Sequence, residues 1–211
     1  MRLIVWLGVE RYAHKLSVSV KQGDDSNWWI YTGSLRFDLI ISNQVFEHIE
    51  DLDAVLREIQ RVLKPNGKLL CLFPSKECIR EGHCGIPFIH WFPKGSPFRF
   101  YYMFALRTLG LGHHKGKKSA SQWANDFLQW LDAYTYYRDK NAILSGFRTR
   151  FTVSFLEHEY IAFRLDKYGR AFLSRIFQLR FVQWFGPKLF RRLACMVILA
   201  QKSQGMRLPV T

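Results

Sequence analysis

Residues 37–73, FDLIISNQVFEHIEDLDAVLREIQRVLKPNGKLLCLF, limit the fold more than any other stretch of this chain. Phe37–Ser42 is almost continuously apolar, the pattern of a strand covered on both faces. Leu52, Val55, Leu56, Ile59, Val62 and Leu63 then recur at helical spacing and form one stripe. Asp51 or Asp53 can cap the start of that helix, where acids suit the helix dipole. Lys64–Pro65–Asn66–Gly67 stops it, Lys68–Phe73 is a second buried strand, and Pro74 ends that strand. A strand, a helix and a strand with short joins form a right-handed crossover, which requires a parallel sheet.

The flanking sequence extends this unit. Leu3–Leu7 is a short apolar run bounded by Gly8, and Leu16–Lys21 alternates before Gly23. Beyond Pro74, residues 76–100 hold six Gly and Pro, the composition of a long structured loop of the kind that covers sites. Helices are expected at Phe98–Leu109 and Ser121–Arg138, with the basic loop Gly110–Ser119 between them. Its glycines, Gly110, Gly112 and Gly116, match neither a dinucleotide nor a Walker spacing. Phe151–Phe155 reads as a strand, Leu156–Phe185 as mostly helix, and Leu193–Gln201 as a last strand. The divisions this suggests are 1–75 as sheet core, 76–148 as loop and helical cap, and 149–211 as the part completing the sheet.

In an open parallel sheet, ligands bind beyond the carboxyl ends of the strands. Glu10 follows the first strand, Asp24 the second, Asn43 the third and Pro74–Ser75 the fourth. One acid there can accept both hydroxyls of a ribose, and the next an adenine amino group. The turn after the third strand can offer backbone groups to a base. If these strand ends share a rim, the result is a nucleoside slot.

The stretch from Phe37 to Ser75 resembles the central signature of class I S-adenosylmethionine-dependent methyltransferases, and most of all their ubiquinone-biosynthesis, small-molecule branch. The residues that carry the resemblance are Phe37–Asp38, Glu47–His48–Ile49 and Leu63–Lys64–Pro65–Asn66–Gly67, with Asn66 the only departure. Asn tolerates the turn conformation that the family's Gly adopts. Upstream, Gly8–Val9–Glu10 resembles the family's ribose-holding acid, and Gly23–Asp24 its adenine-contacting acid. The resemblance implies an α/β, Rossmann-like, mostly parallel sheet, S-adenosylmethionine as cofactor, and Gly8, Glu10, Asp24 and Asn43 around it. It begins at what looks like the family's second strand, with no glycine-rich turn before Glu10. It therefore implies an N-terminally truncated sheet, without its central strand, plus a helical C-terminal insertion or cap.

Methyl transfer is an in-line displacement, so a base is needed only where an acceptor OH or NH must lose a proton. His48 is the candidate for that role, against a purely structural place at the helix start. His83, His90 and Trp91 lie in the covering loop and are candidate acceptor contacts. Cys78, His83, Cys84 and His90 match no familiar zinc spacing, and no metal site is expected from them. The four cysteines form no CxxC pair and fit a reducing, cytoplasmic setting.

The charge of +14 is lopsided: residues 1–80 carry 11 Lys/Arg and 10 Asp/Glu, whereas 81–211 carry 20 and 7. That half suggests an anionic partner. The expected function is methyl transfer to a small-molecule, lipid-linked or saccharide-linked acceptor. The alternative is a non-catalytic remnant of the fold, acting as a basic binding or membrane-surface module. The surface expected for peripheral membrane contact is Trp123, Trp130, Tyr134, Tyr136 and Tyr137 with Lys115, Lys117 and Lys118. Nucleic acid is not the expected partner, because Asn43 is followed by Gln44–Val45–Phe46 rather than a Pro-Pro-Tyr corner and no RNA-stacking motif is present.

Overall fold

The computed structural model describes residues 3–7, 19–22, 28–31, 37–114, 116, 118–168, 173 and 176–202. In chain order its strands are β1 (Leu3–Leu7), β2 (Ser19–Gln22), β3 (Trp28–Tyr31), β4 (Phe37–Asn43), β5 (Leu63–Phe73), β6 (Phe151–Phe155) and β7 (Met196–Lys202). The helices are α1 (Leu52–Val62), α2 (Pro97–Thr108), α3 (Ala120–Tyr134), α4 (Lys140–Arg148), α5 (Glu157–Lys167) and α6 (Arg180–Leu193). Five strands form one sheet in the order β1-β4-β5-β7-β6. β4 runs parallel to both β1 and β5, while β7 runs antiparallel to β5 and to β6. The sheet is thus mixed: a parallel half on which ligand-binding rims are built, and an antiparallel half that closes the far edge.

The central crossover forms as its pattern requires. Asp51 caps α1 by accepting from the Ala54 N–H at 2.8 Å. Leu56, Ile59 and Val62 of α1 are buried with Phe37, Ile40, Leu69 and Cys71 from the two strands. β5 begins directly after α1 and is irregular at its start, where its register against β4 shifts and Asn66 takes φ 61°, in the left-handed region that Asn tolerates. A Cβ on the next residue, Gly67, would stand 2.9 Å from the Lys64 carbonyl oxygen and 3.0 Å from that of Phe37. Backbone crowding therefore explains the glycine.

One expectation is corrected. Ser19–Gln22, the end of the alternating run, does not join the parallel sheet; it pairs antiparallel with Trp28–Tyr31 in a separate two-stranded sheet. A short alternating run specifies a strand but not its partner, and here the partner is the nearby apolar WWIY segment. β1 runs along the outer side of β4, with Leu7 paired to Asn43. A smaller difference is at Leu193, which ends α6 rather than starting the last strand.

A second apolar cluster, made of Cys84, Ile86, Ile89, Met103, Trp123, Ala124 and Leu131, lies between the covering loop and α2 and α3. Arg99 of α2 pairs with Asp132 of α3 and is itself buried. At the other side, buried Glu157 of α5 meets Arg191 of α6 at 3.0 Å and ties that helix to the domain. All four cysteines are free and buried. Among the described residues, no helix is long and apolar enough to cross a membrane.

Candidate functional site

β1, β4 and β5 finish together: Asn43 pairs with Leu7 on one side and Leu72 on the other. Asn43 is exposed on that rim. Gly8, Glu10 and Asp24, the other expected cofactor residues, lie outside the described residues. Just beyond Asn43, Gln44 takes a left-handed φ of 54° while its N–H donates to the Leu72 carbonyl at 2.7 Å. A non-glycine residue held there is strained, and such strain gathers at ligand sites. Gln44 does line a cleft of about 610 Å³, together with Arg80, Glu81, Ile161, Arg164 and Phe190. The cleft lies past the carboxyl end of a parallel strand, where a ligand site is expected in this architecture.

A cluster of titratable groups stands beside this cleft. Phe46–His48 forms a single 3-10 turn after β4, which buries Glu47 and leaves His48 half-buried. The Nδ1–H of His48 donates to the Tyr134 carbonyl at 2.6 Å. His83 comes from the covering loop, and its Nδ1 meets Glu81 at 2.6 Å. The two imidazole rings are 5.0 Å apart edge to face, and the Trp130 ring lies 4.8 Å from His83 and 5.9 Å from His48. Both Nδ1 atoms are thus engaged by acceptors, which leaves each Nε2 as the chemically available nitrogen.

Glu81 organises the cleft side of the cluster. Fully buried, it accepts from the His83 N–H at 2.9 Å, the Cys84 N–H at 2.6 Å and the Tyr137 hydroxyl at 2.6 Å. Burial alone would push its carboxyl up, but the His83, Cys84 and Tyr137 donors outweigh that and hold it at about 2. Burial lowers His83, yet the Glu81 carboxylate prevails and raises it. His48 is lowered by burial, against the opposing bond to Tyr134, so its neutral form is favoured. Glu47 is the contrasting acid. Neither of its carboxylate oxygens has a hydrogen-bond partner among the described residues, and burial raises its carboxyl to about 7.

The structure therefore brings together two of the sequence-designated residues, His48 and His83. His90 is elsewhere in the loop, buried with its ring 4.6 Å from that of Tyr137. Trp91 is 42% exposed, and its indole N–H donates to the Cys78 carbonyl at 3.1 Å. Glu81, Trp130 and Tyr137 were not singled out as site residues in the sequence. Glu81 carried a signal in hindsight, as the acid two positions before His83 in a loop expected to cover the site.

The surface expected for membrane contact is also rearranged. Trp123 is buried, Trp130, Tyr136 and Tyr137 are half-buried, and Tyr134 alone of the five is exposed. Lys118 pairs with Asp126 at 2.5 Å, and Lys115 and Lys117 lie outside the described residues. Trp123, Phe127 and Trp130 of α3 pack inward because they supply the cap's own core.

A parallel crossover beside β1, closed by two antiparallel strands and opening a cleft past β4, is the Rossmann-like α/β fold of class I S-adenosylmethionine-dependent methyltransferases. Residues 5–149 match the family model described as a methyltransferase domain, and the chain belongs to that family. Comparison with curated proteins gives no match. Solved structures similar to the chain include a phosphoethanolamine N-methyltransferase 2 of Haemonchus contortus in complex with phosphomonomethylethanolamine and S-adenosylhomocysteine. It is 17% identical, with 80% of this chain and 34% of that one covered, at a TM-score of 0.32. Another is an S-adenosylmethionine-dependent methyltransferase of Mesorhizobium loti, 14% identical, with 79% and 62% covered, at a TM-score of 0.40. A third is PKMT2 of Rickettsia typhi, 12% identical, with 82% and 37% covered, at a TM-score of 0.35. The chain thus spans between about a third and three-fifths of the length of these structures.

Proposed function

We propose that this chain transfers a methyl group from S-adenosylmethionine to a small, amphipathic acceptor held in the cleft beyond β4. The observation that carries the reading is family membership over residues 5–149, joined to a cleft that opens at the shared end of the parallel strands. In this reading Asn43 lines the cofactor's place on the rim, with Gly8, Glu10 and Asp24 assigned to it by resemblance. The cofactor supplies an activated methyl group on a sulfonium. The protein aligns the acceptor atom with that methyl and keeps water from the cation. Where the acceptor must lose a proton, the neutral imidazole of His48 has Nε2 available to take it.

The lining of the cleft suggests the acceptor class. Arg80 and Arg164 offer positive charge, while Ile161, Leu165, Phe190 and Leu193 offer an apolar wall. An acceptor with an anionic group and an apolar body fits both. That wall runs on into the outer face of α6. Phe181, Trp184, Phe185, Leu189 and Leu193 lie there at helical spacing, each at least 41% exposed. α6 also carries Arg180, Lys188, Arg191 and Arg192 and no acid. An apolar ridge among cations suits the surface of an anionic membrane and favours a lipid-linked acceptor over a freely diffusing one.

The test is incubation of the full chain with methyl-labelled S-adenosylmethionine and fractionated cell extracts. The expected result is label entering an anionic or lipid fraction, with S-adenosylhomocysteine released in equal amount. Absence of S-adenosylhomocysteine from every fraction, with folded protein, removes the reading and leaves the non-catalytic binding module.

A further inference from the structure

We propose that Glu47, His48 and His83 form a binding site for one divalent transition-metal ion of the zinc class, with Glu81 and the Tyr134 carbonyl orienting the two imidazoles. The argument starts from what each side chain lacks. Glu47 is 1% exposed, and both of its carboxylate oxygens are without a hydrogen-bond partner among the described residues. A buried carboxylate in that condition is costly unless it meets a proton or a cation. His48 and His83 face the same space, and one donor atom from each of the three residues lies within 4.8 Å of the others. No other group of three such side chains is found among the described residues.

The imidazoles are prepared as metal ligands are. A ligating histidine normally donates its second ring N–H to a carboxylate or a backbone carbonyl, which fixes tautomer and orientation. His83 has such a partner in Glu81 at 2.6 Å, and His48 has one in the Tyr134 carbonyl at 2.6 Å. Trp130 packs edge-on to His48 and at a tilt to His83 and limits their rotation. Ligand bonds of about 2.0–2.1 Å place donor atoms roughly 3.3 Å apart in a tetrahedral site. Small rotations of the two half-buried histidines would close the present spacing.

Two nitrogens and one carboxylate oxygen suit zinc, iron(II) or manganese(II) better than calcium or magnesium. Three protein ligands also leave a position open for water or an acceptor oxygen, and with the ion bound His48 is a ligand and no longer the proton acceptor. Glu81 joins the two sites: it lines the cleft and, through His83, braces the cluster. This site differs from the Cys78, His83, Cys84 and His90 set considered in the sequence, sharing only His83 with it.

Direct binding to the full chain, stripped with chelator, tests the proposal without any assumption about the methyl donor. Calorimetric titration with Zn²⁺ is expected to show one ion per chain. Glu81→Gln is expected to weaken binding about 10–100-fold, the usual effect of losing an orienting partner. His48→Ala, His83→Ala and Glu47→Gln are expected to weaken it further. His113→Ala with His114→Ala, outside the cluster, is expected to leave it unchanged. Co²⁺ in place of Zn²⁺ is expected to give visible bands without the near-ultraviolet charge transfer of a thiolate ligand. Each sample is first checked for a wild-type-like circular dichroism spectrum and melt. A folded wild type that binds no Zn²⁺ at micromolar concentration overturns the site, as does unchanged affinity in folded His48→Ala or His83→Ala protein. A thiolate band would place the ion at a cysteine instead, which also overturns it.

Discussion

The sheet core and the helical cap are held together by different means. In the core, Leu56, Leu63, Leu69 and Ile198 are fully buried and pack through apolar contacts between a helix stripe and sheet faces. In the cap, α2 and α3 have their own apolar cluster, and α4 buries Ile143 and Phe147 in the sheet's core, whereas the segment that follows α3 meets the core through polar bonds. The Tyr136 N–H donates to the Glu47 carbonyl at 2.7 Å. Arg138 donates to the carbonyls of Ile49, at 2.7 Å, and of Glu50. The titratable cluster sits on this seam, with Glu47 and His48 from the core side and Glu81, His83, Trp130 and Tyr137 from the cap side. The core supplies rigidity by burial, whereas the seam supplies directed groups that can meet a ligand.

Substitutions should separate these two modes. The largest effect is expected at Leu56, which is 0% exposed in the core. Leu56→Ala should cost about 2–5 kcal/mol through lost burial and the cavity left behind. Urea denaturation should show the loss as a lower midpoint with an unchanged slope.

Glu81 is expected to come next, and its effect should depend on pH. Its carboxyl is held at about 2 in the folded chain, below its ordinary value of 4.5. The ionised form is therefore favoured by folding. The associated stability is fully present above about pH 4.5 and is lost as pH falls from there towards 2. The full difference is on the order of 3 kcal/mol. Denaturation curves at pH 7 and at pH 3 should show wild type losing more stability than Glu81→Gln across that interval. Equal losses would place the acid sensitivity elsewhere.

Arg138 should give the smallest effect of the three. Arg138→Ala removes donors to backbone carbonyls on the core side of the seam. A cost of about 1–3 kcal/mol is expected. Hydrogen exchange should rise at Tyr136 and around Ile49 before it rises in β4 and β5. Simultaneous loosening of core and seam would mean that the two regions are not distinct.

The same contrast explains what could be read in advance. Phe37–Phe73 was legible because a buried strand, an amphipathic helix and a second buried strand each write their period into the sequence. Phe151–Phe155 was legible for the same reason, and the structure forms it as β6 with the same bounds. The partnership of Ser19–Gln22 with Trp28–Tyr31 was not, because alternation does not name a partner. In the site, Glu47–His48 stood out as an abrupt polar corner after an apolar strand. The meeting of His48 with Tyr134 spans 86 residues and depends on how the cap folds back over the core. Likewise, Tyr137 reaches Glu81 across 56 residues, a contact that no local pattern encodes.

The most direct test of the account is calorimetric titration of the folded full chain with S-adenosylmethionine. The account expects saturable heat for one site, weakened in Asn43→Ala protein that keeps the wild-type melt. No heat at high micromolar ligand, from a sample that unfolds cooperatively, would contradict it.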